Sequence, residues 1–138
     1  MQSTHSGLEA LLAIARLNAI LSRKSFLSLG FSDFVILHHL YHAPEEKMRR
    51  VDLADCVGLT ASGVTRVLLP MEKIGLIERE ANPRDARVSF VCLAKGGKRL
   101  YQESLESVEL VLEKMTEDIS KKDLSIVQTF LQKAVKSL

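Results

Sequence analysis

The stretch VDLADCVGLTASGVTRVLLPMEKI, from Val51 to Ile74, decides the fold. Leu53, Ala54 and Val57 make one short apolar helix face, Gly58-Leu59 breaks it, and Thr60 is placed to cap a new helix from Ala61 to Ile74. Two short helices joined by a tight turn containing glycine form the helix-turn-helix pattern. On the second helix Val64, Val67, Leu68, Met71 and Ile74 share one face, while Ser62, Thr65, Arg66, Leu69 and Lys73 share the other. The outward face is small and polar at its N-terminal end. Compact hydroxyls and a guanidinium can approach base edges in a major groove, where bulky side chains would hold the helix off. Pro70 cannot donate to the carbonyl of Arg66, and a straight helix running through it would cost ~3 kcal/mol, so the helix is expected to bend there or to end before Ile74. Gly75 then closes it as a left-handed residue.

After Gly75 the helical period is lost. Leu76 to Glu80 and Val88 to Leu93 are strand-like runs, separated by Asn82-Pro83-Arg84-Asp85-Ala86-Arg87, whose composition favours an exposed turn. This predicts a long hairpin with a basic tip. Upstream, Leu8, Leu11, Ile14, Leu17 and Leu21 mark a helix, with Leu12, Ala13 and Ala15 on further faces, so that it is apolar more widely than one contact needs. Ser32 before Asp33, Phe34, Leu37, Leu40 and Tyr41 reads as a capped second helix ending at Ala43-Pro44, followed by a loop from Pro44 to Lys47. Downstream, a long helix is expected from Lys95, with Leu100, Leu105, Val108, Leu112, Met115 and Ile119 inward. Ser120 with Asp123 marks a fresh capped start for a terminal helix carrying Leu124, Val127, Leu131, Ala134 and Leu138. The fold class is therefore mainly α with a small β wing.

The net charge of +2 hides an asymmetry. Residues 47–99 carry 11 Lys and Arg against 6 Asp and Glu, whereas the two flanks together are net acidic. A polyanion-facing centre on neutral or acidic arms fits that distribution. The longest stretch free of Asp, Glu, Lys and Arg is the eleven residues from Phe34 to Pro44, well short of the ~20 apolar residues of a membrane-spanning helix. Glu9 and Arg16 interrupt the apolar N-terminal run, against a secretory signal, and two cysteines make no disulfide framework, so a cytoplasmic protein is expected.

Taken together, Leu53-Ala54 with Val57-Gly58-Leu59-Thr60, Val64-Thr65-Arg66, Met71-Glu72-Lys73 with Gly75-Leu76-Ile77, Asn82 to Arg87, and Val91, Leu93 and Gly97 resemble the MarR family of bacterial transcription regulators. The resemblance is close over the centre, and the helix order extends it over almost the whole chain. It implies a winged helix-turn-helix across residues 32–93 within a single 1–138 domain, with residues 8–30 and 95–138 forming dimerisation helices. It also implies that Ala61 to Ile74 is the recognition helix and Arg84 to Arg87 the wing tip, with Ala86 where many members carry arginine and Ala94 where a capping Thr is usual. The partners implied are double-stranded DNA, a second copy of the chain, and a small aromatic effector.

The residues expected at the DNA are Arg49, Arg50, Thr60, Ser62, Thr65, Arg66, Arg84, Asp85 and Arg87. Arginines on a hairpin beside a recognition helix suit a narrow minor groove or phosphates better than the bland alternative of solvated turn charges, and Arg49 and Arg50 suit phosphates, the alternative being a solvated loop. His38 and His42 stand four apart on one helix face, a spacing compatible with a metal, with His39 between them; surface or interface histidines are the plainer reading. Cys56 lies off the Leu53-Ala54-Val57 face and Cys92 alternates with Val91 and Leu93, so both can be partly accessible, and redox sensing would require a lowered thiol pKa. No phosphate loop, nucleophile elbow or paired-carboxylate motif is visible, so neither an enzyme nor a cofactor is expected. The alternative to a DNA-binding regulator is a winged-helix module that serves only protein-protein contacts.

Overall fold

Thr60 caps the helix that its position predicts: its Oγ1 accepts a hydrogen bond from the Gly63 amide at 3.1 Å in the computed structural model. The structure describes residues 2–138, without the side chains of residues 2–4 and Ala86. Helix α1 spans Gln2–Ser22, α2 Phe31–His42, α3 Arg50–Val57, α4 Ala61–Lys73, α5 Lys95–Thr116 and α6 Lys121–Lys136. Strands β1 (Ser25–Phe26) and β2 (Leu29–Gly30) make a small hairpin, while β3 (Lys47–Arg49), β4 (Ile77–Asn82) and β5 (Asp85–Leu93) form an antiparallel sheet in the order β3-β5-β4. The chain clusters into two units, residues up to Leu105 and residues 106–138.

The α3-turn-α4 pair closes as its residues require. Gly58 ends α3 in the left-handed region at φ 69°, where a side chain would be strained. Helix α4 passes through Pro70, which lies exposed in the last turn, and stops at Lys73. The Gly75 amide donates to Glu72 O and the Leu76 amide to Met71 O, a paired termination that needs a left-handed residue at Gly75, here at φ 79°. Met71 and Leu76 are both buried across that turn. Ile74, expected on the inner face, is 70% exposed because the helix has already ended and its side chain points off the unwinding turn.

The core of the first unit collects one stripe from each of α2, α3 and α4. Phe34, Ile36, Leu37 and Leu40 of α2, Leu53 and Ala54 of α3, and Val64, Leu68 and Met71 of α4 are buried together with Ile77 and Val91 of the sheet. From the first turns of α5, Tyr101 stacks on Phe34 with ring centroids 5.3 Å apart, and the buried Ser104 hydroxyl donates to Phe26 O at 3.1 Å. Gly97 lies so close to the chain before β4 that a Cβ added there would stand 2.0 Å from Leu76 O.

Several expectations are corrected. Ser32 is not the cap of α2: the helix starts two residues earlier, at Phe31, with Gly30 at the cap position and no side-chain bond. Pro44–Glu46 forms a 3-10 turn, and Lys47 belongs to β3 rather than to a loop, because β5 offers it a free edge, pairing Lys47 with Cys92 and Arg49 with Phe90. The hairpin turn is tighter than a six-residue loop: Asn82 pairs with Asp85, so Asp85 to Arg87 lie inside β5, and the register slips between Ala81 and Asn82. Ala94 precedes α5 without a hydroxyl, yet its carbonyl accepts from the Lys98 amide and its amide donates to Leu76 O, so pairing with the sheet starts the helix instead. Leu112, Met115 and Ile119, expected inward, are exposed. In α6 the Ser120 hydroxyl does accept from the Asp123 amide, but no residue of the helix is buried. On α1, Leu8, Leu11 and Leu12 are more than half exposed.

The β1-β2 turn carries Leu27 and Ser28 at φ 50° and 63°, a geometry that glycine and asparagine adopt far more readily. Changing Leu27 to Asn together with Ser28 to Gly should raise stability by ~1 kcal/mol or more, seen as a higher thermal midpoint.

Candidate nucleic-acid interface

The outward face of α4 offers Ser62 and Arg66 to solvent, both exposed, with half-buried Thr65 between them. No hydrogen bond or ion pair engages the Arg66 guanidinium among the described residues, so the charge is available to a ligand. Thr60 uses its hydroxyl for the helix cap and lies 3.3 Å from Ser62 Oγ. Thr65 is engaged on two sides. Its hydroxyl donates to Ala61 O at 2.9 Å and accepts from Arg50 Nη1 at 2.5 Å.

Arg50 opens α3 directly after Arg49, which ends β3, so that strand and helix present two guanidiniums in succession. A crevice of about 330 Å³ lies between them and β5, lined by Arg49, Arg50, Val51, Arg87, Val88 and Ser89. The structure therefore brings three of the sequence-identified arginines to one place, one from the wing and two from the start of the helix-turn-helix. Ser89 was missed by sequence reasoning. The signal was available, because residues two apart on a strand share a face and Arg87 stands two before it.

On the wing, Asp85 Oδ1 accepts from the Arg87 amide at 3.0 Å and lies 3.4 Å from its Nε. The short loop bond fixes the backbone, while the Arg87 side chain remains 93% exposed, so screening by water leaves the ion pair weak. Asp85 is thus a brace, and the arginine stays free to trade it for a phosphate. Asn82 Oδ1 accepts from the Arg84 amide at 2.9 Å, which holds the turn and leaves the Arg84 side chain exposed beyond it. Arg84 stands apart from the crevice shared by Arg49, Arg50 and Arg87.

The histidines lie elsewhere, on α2. His38 Nδ1 is 2.8 Å from the Tyr101 hydroxyl, His42 Nε2 is 3.5 Å from the same oxygen, and the two imidazoles are 4.5 Å apart between centroids. Their ring nitrogens are turned toward a buried phenol. Among the described residues no group of three or more His, Cys, Asp or Glu is arranged to hold a metal ion. Partial burial, then the neighbouring charges of His42 and His39, lower the pKa of His38. The folded chain therefore prefers neutral His38, and its contribution is complete above the unfolded value of ~6.5 and lost as pH falls toward and through the lowered folded value. The thermal midpoint should drop between pH 7.5 and 5.5, and His38→Gln should flatten that drop.

The Cys92 thiol donates to Glu80 Oε2 at 3.4 Å. Burial first, and then Glu80, push its pKa up to about 11, which keeps it protonated and poorly nucleophilic at neutral pH. Cys56 is exposed and lines a second cavity of about 300 Å³ with Phe31, Val35, Ile36, Val57 and Leu59, bounded on the α1 side by Asn18 and Ser22.

Residues 31–89 match the model of the MarR family. The chain is 28% identical over 114 residues to the uncharacterized HTH-type transcriptional regulator YdgJ of Bacillus subtilis, an alignment covering 81% of this chain and 68% of that protein. In fold it is similar to Sco3205, a MarR family transcriptional regulator from Streptomyces coelicolor solved in complex with DNA, with a TM-score of 0.87, 18% identity and coverage of 99% of this chain and 88% of the other. It is also similar to the transcriptional regulator BldR from Sulfolobus solfataricus, with a TM-score of 0.84, 22% identity and both chains covered completely.

Proposed function

We propose that this chain, which carries the MarR family domain across residues 31–89, is a sequence-specific DNA-binding transcription regulator that works as a homodimer on an inverted-repeat operator. The family is one of transcription regulators rather than enzymes. The observation that carries the reading is the convergence of Arg49, Arg50 and Arg87 on one crevice beside the recognition helix. A DNA backbone crossing that crevice would be neutralised there, while the exposed face of α4 enters the major groove.

In this reading Ser62 and Arg66 meet base edges, with Thr60 and Thr65 at the same helix end. Arg84 and Arg87 meet the minor groove or its phosphates, with Asp85 bracing the wing. The exposed apolar faces of α1 and α6 supply the dimer contacts, which together exceed what isolated surface leucines need explain. The two recognition helices of a two-fold dimer would then lie about one DNA turn apart. The cavity beside Cys56 is apolar and of a size to take a small aromatic effector. No helix among the described residues is long and apolar enough to cross a membrane, and a regulator of DNA works in the cytoplasm.

Selection of bound sequences from a random duplex pool tests the reading. Enrichment of an inverted repeat is expected. A pool that stays random after repeated rounds, with folded protein, sinks it.

A further inference from the structure

Arg50 and Ser89 both line the crevice with Arg49 and Arg87 and a small cleft with Thr65, Leu68 and Glu72 of α4, and of the two only Arg50 carries a charge. One of its five N–H donors is used on Thr65 Oγ1, and no other hydrogen bond or ion pair engages Arg50 among the described residues. The Thr65 hydroxyl has a single hydrogen, committed to Ala61 O, and one of its lone pairs is taken by Arg50. Thr65 therefore has no donor left for a base.

We propose that Arg50 is a specificity-determining positioning residue that contacts no base: it ties the recognition helix, through Thr65, to the DNA phosphate held in the Arg49-Arg50-Arg87 crevice. This rests on the DNA-binding reading and deepens it. A planar guanidinium can hold a phosphate oxygen and a hydroxyl at once in fixed relative directions, which a lysine ammonium cannot. The pose of α4 in the groove is then set at Thr65, the fifth residue of the helix and the neighbour of Arg66. Backbone contact and base reading become a single coupled event. The geometry also divides the roles of neighbours: Arg49 and Arg87 supply charge, Arg66 reads, and Arg50 aligns.

The test uses the full chain, the duplex selected above and a random duplex of equal length, with Arg50→Lys, Thr65→Val, Thr65→Ser and the double Arg50→Lys/Thr65→Val variant. Thr65→Ser keeps the hydroxyl and should discriminate like the wild type. Thr65→Val and Arg50→Lys should each lower the ratio of operator to random affinity by about tenfold, the scale of a hydrogen bond to a charged group. The slope of log affinity against log salt should stay unchanged, because the number of cations is the same. The double variant should lose no more than either single variant, since both remove one strut. Additive losses in the double variant, full discrimination by folded Thr65→Val, or a loss in Thr65→Ser as large as in Thr65→Val would each overturn the proposal. A wild-type chain that fails to prefer the selected duplex overturns the DNA-binding reading itself, and is seen before any variant is compared.

Discussion

Gly97→Ala should cost the protein at least ~3 kcal/mol, the upper end for overpacking, and remove most of its folded population at physiological temperature. The added methyl would stand 2.0 Å from the Leu76 carbonyl oxygen and 3.0 Å from Leu93 Cδ1. The Leu93 methyl can rotate aside, but the backbone carbonyl has no room to yield. Leu76 O accepts the Ala94 amide, and Leu76 itself is pinned by the hydrogen bond that its amide donates to Met71 O at the end of α4. Relief would need the first turn of α5 to lift from the strand entry, breaking the bond that starts α5 and loosening the end of α4 together. Gly7→Ala is the control. An added Cβ there meets nothing within 4 Å, and alanine in a helix interior is favoured over glycine by ~1 kcal/mol. Urea denaturation followed by circular dichroism reads both, and a Gly97→Ala midpoint equal to that of the wild type would show that the close approach is wrong.

The next largest expected effect separates reading from gripping. Arg66→Ala should reduce the preference for operator over random DNA by ~1–3 kcal/mol if the guanidinium is bidentate to a guanine, with a smaller change on random DNA. Arg87→Ala should weaken both duplexes together and flatten the salt slope by about one unit, as loss of one neutralised phosphate requires. The contrast follows from placement. Arg66 projects from the outward face of α4, while Arg87 lies on β5 across a crevice from two further arginines. Fluorescence anisotropy across a salt series distinguishes the two. Folded variants that bind both duplexes as the wild type does at every salt concentration would remove these side chains from the interface.

What could be read from the chain alone follows the length scale of the forces involved. Thr60, Gly58, Gly75 and Ser120 act on groups within five residues, so these caps and helix ends are legible in the chain alone, whereas Ser32 lies inside α2, which starts at Phe31 beside the β1-β2 hairpin. The wing is legible too, since Leu76–Glu80 and Val88–Leu93 are short strand-like runs on either side of a turn-rich Asn82–Arg87. The three residues of β3 are not, because Lys47-Met48-Arg49 has no period of its own and becomes a strand only beside β5. Tyr101 was passed over for the leucines of α5 because hydrophobic period counts side chains without knowing which turn faces a ring such as Phe34. In the candidate interface the arginines were legible as charges, but the Arg50-Thr65 bond joins residues fifteen apart on different helices. It depends on the crossing of α3 and α4, which no local pattern encodes.

Helix α6 buries none of its sixteen residues, and an isolated helix of that length is marginal in water. Were the proposed second copy its cover, its order would become a matter of mass action, each tenfold dilution of the chain removing ~1.4 kcal/mol from the stability of such a dimer. Abundance would then govern lifetime. A cell holding few copies would expose apolar Ile126, Phe130 and Val135 to proteases, whereas a well-stocked cell would shelter them, so that the protein's turnover reports its own copy number.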